Sequence, residues 1–390
     1  MTEKWEDESG SMMSRRSFLC GATALLAGAG DLTASQTAPL QTPDTTALKR
    51  AAQHSGKILG MFTVQYELLY APMASAIIAN TFSMIADGND LKFAKYLRPA
   101  PDTFDFSYGD RAISWAEQHG LLFRGHCLVW WNALPDWFES YVTPANAKQV
   151  MTDHISRVVK HYAGRVYSWD VVNEPIYPVQ LRRKPWIELI GPEYIDIAFQ
   201  TAHTADPKAR LLLNECYIEH DTPAEIERRA AFLALATRLK RSGAPITGVG
   251  VQGHLRGNTP LDHAGMTAFM RQIQDLGLEI MITELDVDDF DVPATLIDQT
   301  VARKYGEFID LVAPFVKVIT FEQLRDDPDL PKRPDGLPHR PNLLDANYQP
   351  TPAYQATLSS LQSYRKATTW AKGAGYSSTL RQRSDEVHRS

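Results

Sequence analysis

Two hydrophobic patterns alternate along the chain from Ile58 onward. Short runs rich in apolar and β-branched residues predict buried strands, and longer segments with apolar residues three or four positions apart predict helices. The strand candidates cover residues 58–65, 81–87, 121–130, 166–174, 210–216, 246–254, 279–286 and 316–321. The clearest helical segments cover residues 146–162, 194–204, 224–242 and 266–276, and a glycine follows each of the last two.

Strict alternation of strands and helices is typical of parallel α/β proteins. Eight repeats over about 300 residues fit a closed (β/α)8 TIM barrel, built as a single domain, better than an open doubly wound sheet. No GxGxxG or GxxxxGK[ST] motif opens any of the helices, which disfavours a nucleotide-binding open sheet. In such a barrel we expect the chemistry at the carboxyl ends of the strands.

Composition narrows the range of partners. The 390 residues are 44% hydrophobic and 22% charged, which is typical of a folded globular protein. Lys and Arg number 40 against 46 Asp and Glu, so the net charge of −6 disfavours nucleic acid as a partner. The three cysteines, Cys20, Cys127 and Cys216, form no CxxC pair and supply neither a disulfide framework nor a thiolate zinc site.

The amino-terminal residues have the pattern of an export signal. Residues 14–19 read Ser-Arg-Arg-Ser-Phe-Leu, and a small apolar run and then Ser, Thr and Ala residues follow up to Pro39. This resembles a twin-arginine signal, although Cys20 replaces the usual lysine, and Met12 or Met13 is an alternative start. A buried amino-terminal helix is the other interpretation, but the run is short and rich in glycine.

Four segments follow from this interpretation. We predict a twin-arginine signal peptide over residues 1–38, a linker and first helix over 39–56, a catalytic barrel over 57–366 and a polar tail over 367–390. Export predicts a periplasmic or secreted protein with no membrane anchor after removal of the signal. We expect a monomer.

Polar and ionisable residues end six of the eight strand candidates. Glu174 ends the fourth strand and Glu284 lies near the end of the seventh, so the two carboxylates face each other across the barrel mouth. Such a pair is what cleavage of a glycosidic bond requires, with one carboxyl protonated and the other ionised. The alternative use of clustered carboxylates and histidines is a divalent metal site, for which the candidates are His126, Glu174, His254, Glu284 and Asp286.

Several motifs together resemble glycoside hydrolase family 10, whose best-known members are endo-β-1,4-xylanases. The sequence Trp-Asp-Val-Val-Asn-Glu at 169–174 is similar to the acid/base motif, and Ile-Thr-Glu-Leu-Asp at 282–286 to the nucleophile motif. Residues 125–130 and 248–255 resemble the third and sixth strand motifs, and residues 340–355 resemble the closing segment. The resemblance extends from about residue 58 to 361.

The resemblance implies a retaining mechanism. Glu284 is then the nucleophile and Glu174 the acid/base, with carboxyl groups roughly 5 to 5.5 Å apart. Asn173 would bind the 2-hydroxyl of the sugar, and Gln252 would stand near Glu174. The remaining residues expected to bind substrate or orient the pair are Asn89, Lys92, His126, Trp130, His254, Asp286 and Glu322. The expected partner is a polysaccharide, most simply xylan, with no cofactor and no metal.

Other positions depart from the family pattern. The usual Thr-Pro-Glu-Asn stretch has Gly88 in place of its glutamate, and Trp131, Ala133 and Cys216 replace a histidine, a glutamine and a tyrosine. Glu322 occupies the place of a tryptophan that forms the floor of the sugar site. These changes weaken the assignment of the substrate more than the assignment of the reaction, because Glu174 and Glu284 are both present.

Two alternatives therefore remain open. One is an acidic bacterial exopolysaccharide or another β-glycan as substrate, and the other is a glycan-binding barrel without catalysis. Intact Glu174 and Glu284 argue against the second. Glu322 in place of the tryptophan favours the first. Basic residues expected on loops also favour it, and they are Arg124, Arg182, Arg183, Lys184, Arg256, Arg325, Lys332 and Arg333.

The barrel also makes a prediction for the cysteines. Cys127 and Cys216 belong to the third and fifth strands, with the fourth between them. Because neighbouring strands lie about 4.8 Å apart, the two Cα atoms should be about 9 to 10 Å apart, beyond the reach of a disulfide. We predict free, buried thiols.

Overall fold

The computed structural model describes residues 44–327 and 332–364. The predicted export signal and the polar tail lie outside the described residues, so the proposed division of the chain into segments stays a prediction.

Eight parallel strands close into a barrel, as predicted. In chain order the strands are β1 (Ile58–Thr63), β2 (Met84–Asp87), β3 (Leu122–Val129), β4 (Ser168–Asn173), β5 (Arg210–Glu215), β6 (Gly248–Val251), β7 (His254–Arg256), β8 (Glu279–Asp288) and β9 (Val318–Phe321). Strand β1 pairs with β9, and β6 pairs with β8, which closes the ring. The short β7 is a ninth strand that pairs with β8 outside the ring of eight.

Helices surround the barrel and connect its strands. They are α1 (Thr46–His54), α2 (Gln65–Leu69), α3 (Pro72–Thr81), α4 (Ser107–Gln118), α5 (Phe138–Tyr141), α6 (Ala147–His161), α7 (Tyr194–Ala205), α8 (Pro223–Arg241), α9 (His263–Asp275), α10 (Ile297–Val312) and α11 (Pro352–Ser363). The amino-terminal α1 packs against α11, so the two ends of the described chain meet. Within the described ranges, no helix combines the length and the apolar character needed to span a membrane.

The sequence pattern located all eight strands of the ring, and the largest differences concern the second and the sixth. The predicted second strand began at residue 81, but Thr81 is the last residue of α3 and the amide of Phe82 still bonds to the Ile78 carbonyl, 3.1 Å away. The predicted sixth strand divides into β6 and β7 because Gln252 and Gly253 interrupt it. Gly253 has a φ of 80°, which glycine adopts without steric cost.

The lower half of the barrel is apolar. Met84, Leu212, Met281 and Val318 form a separate buried cluster contributed by β2, β5, β8 and β9, near the amino-terminal ends of these strands. On β3, Gly125 is required by close packing, because a Cβ there would lie 2.2 Å from the Trp169 ring. Since the lower half is filled with apolar side chains, ligands can approach only the opposite, polar mouth.

The two cysteines in the described chain match their prediction. Cys127 lies on β3 and Cys216 directly follows β5, with β4 between them. Both thiols are buried and neither forms a disulfide.

Candidate active site

Glu174 and Glu284 lie at the carboxyl end of the barrel. Glu174 directly follows β4, and its amide donates to the Asn214 carbonyl on β5 at 2.9 Å. Glu284 lies within β8, and its amide donates to the Gln252 carbonyl at 2.8 Å. The two residues are only 9% and 7% exposed, so each carboxyl is largely shielded from water.

Three side chains orient the Glu174 carboxyl group. The indole Nε1 of Trp131 donates to Oε2 at 2.7 Å, and Gln252 Nε2 and Asn173 Nδ2 lie 3.3 and 3.5 Å from Oε1. Glu174 itself has a φ of 50°, a left-handed conformation that is unfavourable for a residue with a Cβ. Strained backbone of this kind occurs preferentially at functional sites, where the surrounding structure holds it.

The Glu284 carboxyl group is held in its ionised form. Asn214 Nδ2 donates to Oε1 at 2.8 Å, and His254 Nε2 lies 3.3 Å from Oε2. Burial by itself would raise the pKa of Glu284, but the hydrogen bond from His254 and the charges of His126, His254 and Arg124 outweigh it. The net effect lowers the pKa of Glu284 to about 2.

His254 is in turn paired with Asp286. Its Nδ1 lies 2.9 Å from Asp286 Oδ1, and the two residues face each other in the pairing of β7 with β8. Burial disfavours the imidazolium, but Asp286 and Glu284 together raise the pKa of His254 well above its usual value. The predicted arrangement of His254 and Asp286 around Glu284 is therefore present in the structure.

An amide network joins the two carboxyl groups. Asn214 Nδ2, which bonds to Glu284, also donates to Asn173 Oδ1 at 2.8 Å, and Gln252 Nε2 reaches the same oxygen at 3.3 Å. Thr283 Oγ1 donates to Asn214 Oδ1 at 2.8 Å, which fixes the orientation of the Asn214 amide. Asn214 was not among the residues predicted for the site, although its position at the end of a strand was a usable signal.

A fully buried ion pair lies beneath Glu284. The guanidinium of Arg124 contacts the Asp170 carboxylate and donates from Nη2 to the Thr283 carbonyl at 2.8 Å. His126 Nδ1 lies 2.8 Å from Asp170 Oδ2 and 3.9 Å from Glu284 Oε1. The assignment of Arg124 to a loop was wrong, because the residue lies on β3 and its side chain points into the barrel, where Asp170 neutralises it.

A second predicted loop cation is also internal. Arg333 is 4% exposed, contacts the Asp289 carbonyl and donates to the Val292 carbonyl at 2.5 Å. The positive charge of Arg333 is neutralised inside the protein, so this residue does not belong to a basic surface that faces the substrate. Arg182 is stacked instead between the rings of Trp131 and Tyr177, with centroid distances of 4.2 and 4.5 Å.

The remaining predicted residues lie on the β2 and β3 side of the mouth. Lys92 Nζ is 5.1 Å from the centroid of the Trp130 ring, and the Trp130 and His126 rings are 6.4 Å apart. Asn89 is partly exposed, and its amide donates to Asp87 Oδ1 at 2.8 Å. The structure thus connects Lys92 with Trp130 and His126, whereas Asn89 is tied through its backbone to the loop after β2.

Glu322 directly follows β9, and its amide donates to the Leu285 carbonyl at 3.1 Å. This bond places Glu322 beside the segment that carries Glu284 and Asp286. Burial and the charge of Glu284 raise the pKa of Glu322 to about 8. The residue that departs from the family pattern is therefore a neighbour of the proposed nucleophile.

The donor atoms of this site do not favour a metal ion. His126, Asp170 and Glu284 bring three potential ligand atoms within 4.8 Å of one another. However, Asp170 already bonds to the Arg124 cation, and Glu284 already accepts from Asn214 and His254. A divalent cation bound here would have to displace these hydrogen-bond donors, and the positive charge of Arg124 would repel it.

A small, partly enclosed cavity of about 10 Å³, room for about one water molecule, lies beside Glu174 and is lined by Trp130, Trp131, Arg182 and Trp186. Aromatic faces next to a buried acid pair are suited to binding carbohydrate. A (β/α)8 barrel whose mouth holds this pair is a barrel of the glycoside hydrolase class.

The chain belongs to glycosyl hydrolase family 10, because the model of that family matches residues 47–360. A β-1,4-xylanase of Dictyoglomus thermophilum is 32% identical over 297 residues, which are 71% of this chain and 82% of the relative. The exoglucanase XynX of Acetivibrio thermocellus is also 32% identical, over 72% of this chain. The chain spans about a quarter of the length of XynX and of xylanase A from Thermoanaerobacterium saccharolyticum.

Solved structures agree with this family. Xylanase 10B of Thermotoga maritima superposes with a TM-score of 0.74 at 29% identity, over 81% of this chain and 98% of that protein. Xylanase 10B of Thermotoga petrophila, solved in complex with xylobiose, has the same TM-score at 28% identity, over 81% and 97% of the two chains. The expected family and barrel fold are thereby confirmed.

Proposed function

We propose that the protein is a retaining glycoside hydrolase that cleaves internal β-1,4 bonds of a polysaccharide, and that xylan is the substrate. The observation that carries the proposal is the pair Glu174 and Glu284, joined through Asn173 and Asn214, with Glu284 held ionised. The xylanases among the relatives, and the xylobiose bound to the Thermotoga petrophila enzyme, support the substrate.

In the first step, a Glu284 oxygen attacks the anomeric carbon and the glycosidic C–O bond breaks. The Glu174 carboxyl group gives its proton to the departing oxygen, and a covalent glycosyl-enzyme intermediate results. In the second step, Glu174 takes a proton from water, and that water displaces Glu284 from the anomeric carbon. The low pKa of Glu284 suits the first step, since the nucleophile is ionised throughout the neutral range.

The surrounding residues have supporting roles in this proposal. The charged pair of His254 and Asp286 keeps Glu284 ionised and oriented, and Gln252 orients Glu174. Asn173 binds the 2-hydroxyl of the sugar, a contact that strengthens in the transition state. The glycone contacts are assigned to Asn89, Lys92, His126 and Trp130.

An acidic polysaccharide is less well supported than xylan. One argument for it was the set of basic residues expected around the mouth, but Arg124 and Arg333 are internal and paired. Arg256 contacts Glu225, so its charge is also matched within the protein. A glycan-binding barrel without catalysis has no support from the site, because both carboxyl groups are held by specific donors.

Product analysis tests the proposed function. The wild type and Glu284→Ala would be incubated with xylan, glucuronoxylan, β-glucan and a bacterial exopolysaccharide. We expect oligosaccharides from xylan with the wild type and with Glu307→Ala, but not with Glu284→Ala. Glu307→Ala is the control, since Glu307 lies on α10 and pairs with His263 and Arg303 away from the mouth. Equal turnover by Glu284→Ala would refute the assigned nucleophile.

The stereochemistry of the first product tests the mechanism separately. Proton NMR of freshly cleaved xylan oligosaccharides should show the β-anomer before mutarotation, because two displacements restore the configuration. An α-anomer formed first would indicate inversion and a carboxyl separation wider than roughly 6.5 Å.

We also propose export to the periplasm or beyond, as a monomer without a membrane anchor. Support comes from the Ser-Arg-Arg-Ser-Phe-Leu sequence at 14–19 and the small apolar run after it. A double substitution, Arg15→Lys with Arg16→Lys, should retain the precursor in the cytoplasm when cell fractions are compared by immunoblot. Sedimentation of the exported protein should give a single species of monomer mass, and export unaffected by the double substitution would contradict the signal.

A further inference from the structure

Glu322 has an unusual position for a carboxyl group. Phe321 is opposite Leu285 in the pairing of β8 with β9, and the Glu322 amide continues this pairing by donating to the Leu285 carbonyl at 3.1 Å. Leu285 lies between Glu284 and Asp286 in the chain. The side chain of Glu322 therefore starts next to the proposed nucleophile, at the mouth where a sugar must bind.

One oxygen of Glu322 is buried without a partner. Among residues 44–327 and 332–364, none donates a hydrogen bond to Glu322 Oε2, and that atom has almost no exposed surface. A buried polar atom left unsatisfied costs free energy, and such atoms in native proteins mark sites completed by a water or a ligand. The residue as a whole is partly exposed, so the side chain borders the mouth, and a rotation of its carboxyl group would be needed to present Oε2 to a ligand.

The charges around Glu322 determine its protonation. It experiences the negative charges of Glu284 and Asp286 and the positive charges of His254 and Lys92. Burial and the Glu284 charge together raise the pKa of Glu322 to about 8. Below that pH the group is a neutral carboxylic acid, with one O–H donor and one carbonyl acceptor.

We propose that Glu322 is a specificity-determining residue that hydrogen-bonds a hydroxyl group of a neutral sugar bound against Glu284. The inference rests on the proposed function. A sugar hydroxyl both donates and accepts, so it matches a neutral carboxylic acid and satisfies Oε2. The aromatic side chain that the family places here could offer only an apolar surface and an indole N–H.

The charges also exclude one class of sugar from this position. A uronate carboxylate beside Glu322 would stand close to Glu284 and Asp286, whose two negative charges the single imidazolium of His254 balances only in part, and like charges repel. Lys92 is placed over the Trp130 ring, where its ammonium group already has a favourable contact. The sugar next to Glu284 is therefore a neutral one.

Two substitutions at Glu322 test this inference. Glu322→Gln keeps a donor and an acceptor in nearly the same shape, whereas Glu322→Leu removes both. The measurement is kcat/KM at pH 6 on 4-nitrophenyl β-xylobioside and 4-nitrophenyl β-cellobioside, which differ by a hydroxymethyl group on each sugar. Losing one hydrogen bond should lower kcat/KM of Glu322→Leu about tenfold on at least one substrate, while Glu322→Gln stays within about threefold of wild type.

The outcomes separate the possibilities. A loss on both substrates supports a contact with a ring hydroxyl common to both, and a loss on the cellobioside alone supports a contact with the hydroxymethyl group. Wild-type rates for Glu322→Leu on both substrates, or equal losses for Glu322→Gln and Glu322→Leu, would overturn the inference. Melting temperatures of all variants, with Glu322→Met as a second apolar substitution, distinguish loss of contact from loss of fold.

Failure of this inference is distinct from failure of the proposed function. A wild type that cleaves xylan while both Glu322 variants behave like it would refute only the role of Glu322. A wild type without activity on any β-glycan would instead remove the basis of the proposed function itself.

Discussion

The ionisation of Glu284 depends on His254. Replacing this histidine by glutamine should therefore change the pKa of Glu284 measurably. Glutamine can still donate a hydrogen bond towards Glu284 Oε2, which lies 3.3 Å from His254 Nε2, but it carries no charge. The substitution therefore removes the imidazolium charge while keeping a polar side chain of similar size. We expect the pKa of Glu284 to rise, because the burial that opposes its ionisation remains.

The size of the effect follows from the pKa of Glu284. Its fall from 4.5 to about 2 corresponds to roughly 3 kcal/mol in favour of the carboxylate. The hydrogen bond from His254 stabilises the carboxylate most, followed by the charges of His126, His254 and Arg124. Because glutamine keeps a donor and removes only the His254 charge, we expect the pKa of Glu284 to rise by about one pH unit, which is worth about 1.4 kcal/mol.

The assay is the pH dependence of kcat/KM on 4-nitrophenyl β-xylobioside. The acidic limb of this profile reports the ionisation of the nucleophile in the free enzyme. Wild type should lose almost no activity through Glu284 down to about pH 3.5, whereas His254→Gln should already lose about a quarter of its activity at that pH, with an acidic limb near pH 3.

The control is His161→Gln, because His161 is partly exposed and pairs with Asp110 outside the barrel. Its profile should match that of the wild type. A uniform fall in kcat/KM for His254→Gln, with the acidic limb unmoved, would refute the electrostatic reasoning and leave His254 a purely structural residue.

Three further predictions concern other residues in and around the site that holds Glu174 and Glu284. Trp131→Phe removes the 2.7 Å indole bond to Glu174, so kcat/KM should fall about five- to tenfold for poor leaving groups and stay unchanged for a dinitrophenyl glycoside. Asp170→Asn leaves the Arg124 guanidinium buried without its counter-charge and should cost about 3 to 5 kcal/mol in urea unfolding. The two buried thiols, whose pKa values burial raises well above the usual range, should react with a disulfide reagent only after unfolding. The first prediction would be contradicted by equal losses of Trp131→Phe on both kinds of leaving group, and the second by an unchanged urea midpoint for Asp170→Asn. Rapid labelling of Cys127 or Cys216 in the native protein would contradict the third.

The barrel and the positions of the proposed catalytic pair were accessible from sequence because both depend on local patterns. Buried parallel strands appear as short apolar runs, and Glu174 and Glu284 lie where such runs end. Helix boundaries were less certain. Thr81 is β-branched and followed by Phe82, so it resembles a strand residue, yet backbone hydrogen bonding extends α3 to that point.

The partners of the catalytic pair could not be predicted in the same way. Arg124 and Thr283 are 159 positions apart in the chain but share a hydrogen bond inside the closed barrel. Arg124 falls within the predicted strand at 121–130, but the sequence pattern does not show that a charged side chain in that strand points inward to a buried partner such as Asp170. Only the closed barrel, in which Arg124 meets Asp170 and Thr283, shows that this arginine is internal.

The sequence by itself determined the alternation of strands and helices, the strand ends and the identity of the two opposed carboxyl groups. These features follow from hydrophobic periodicity and backbone hydrogen bonding, which act over a few residues. Only the tertiary structure decided that Asn214 joins the pair, that Trp131 bonds to Glu174 and that Glu322 stands beside Glu284. Burial and distance between remote segments set these contacts and the pKa values they control, and neither quantity exists until the barrel closes.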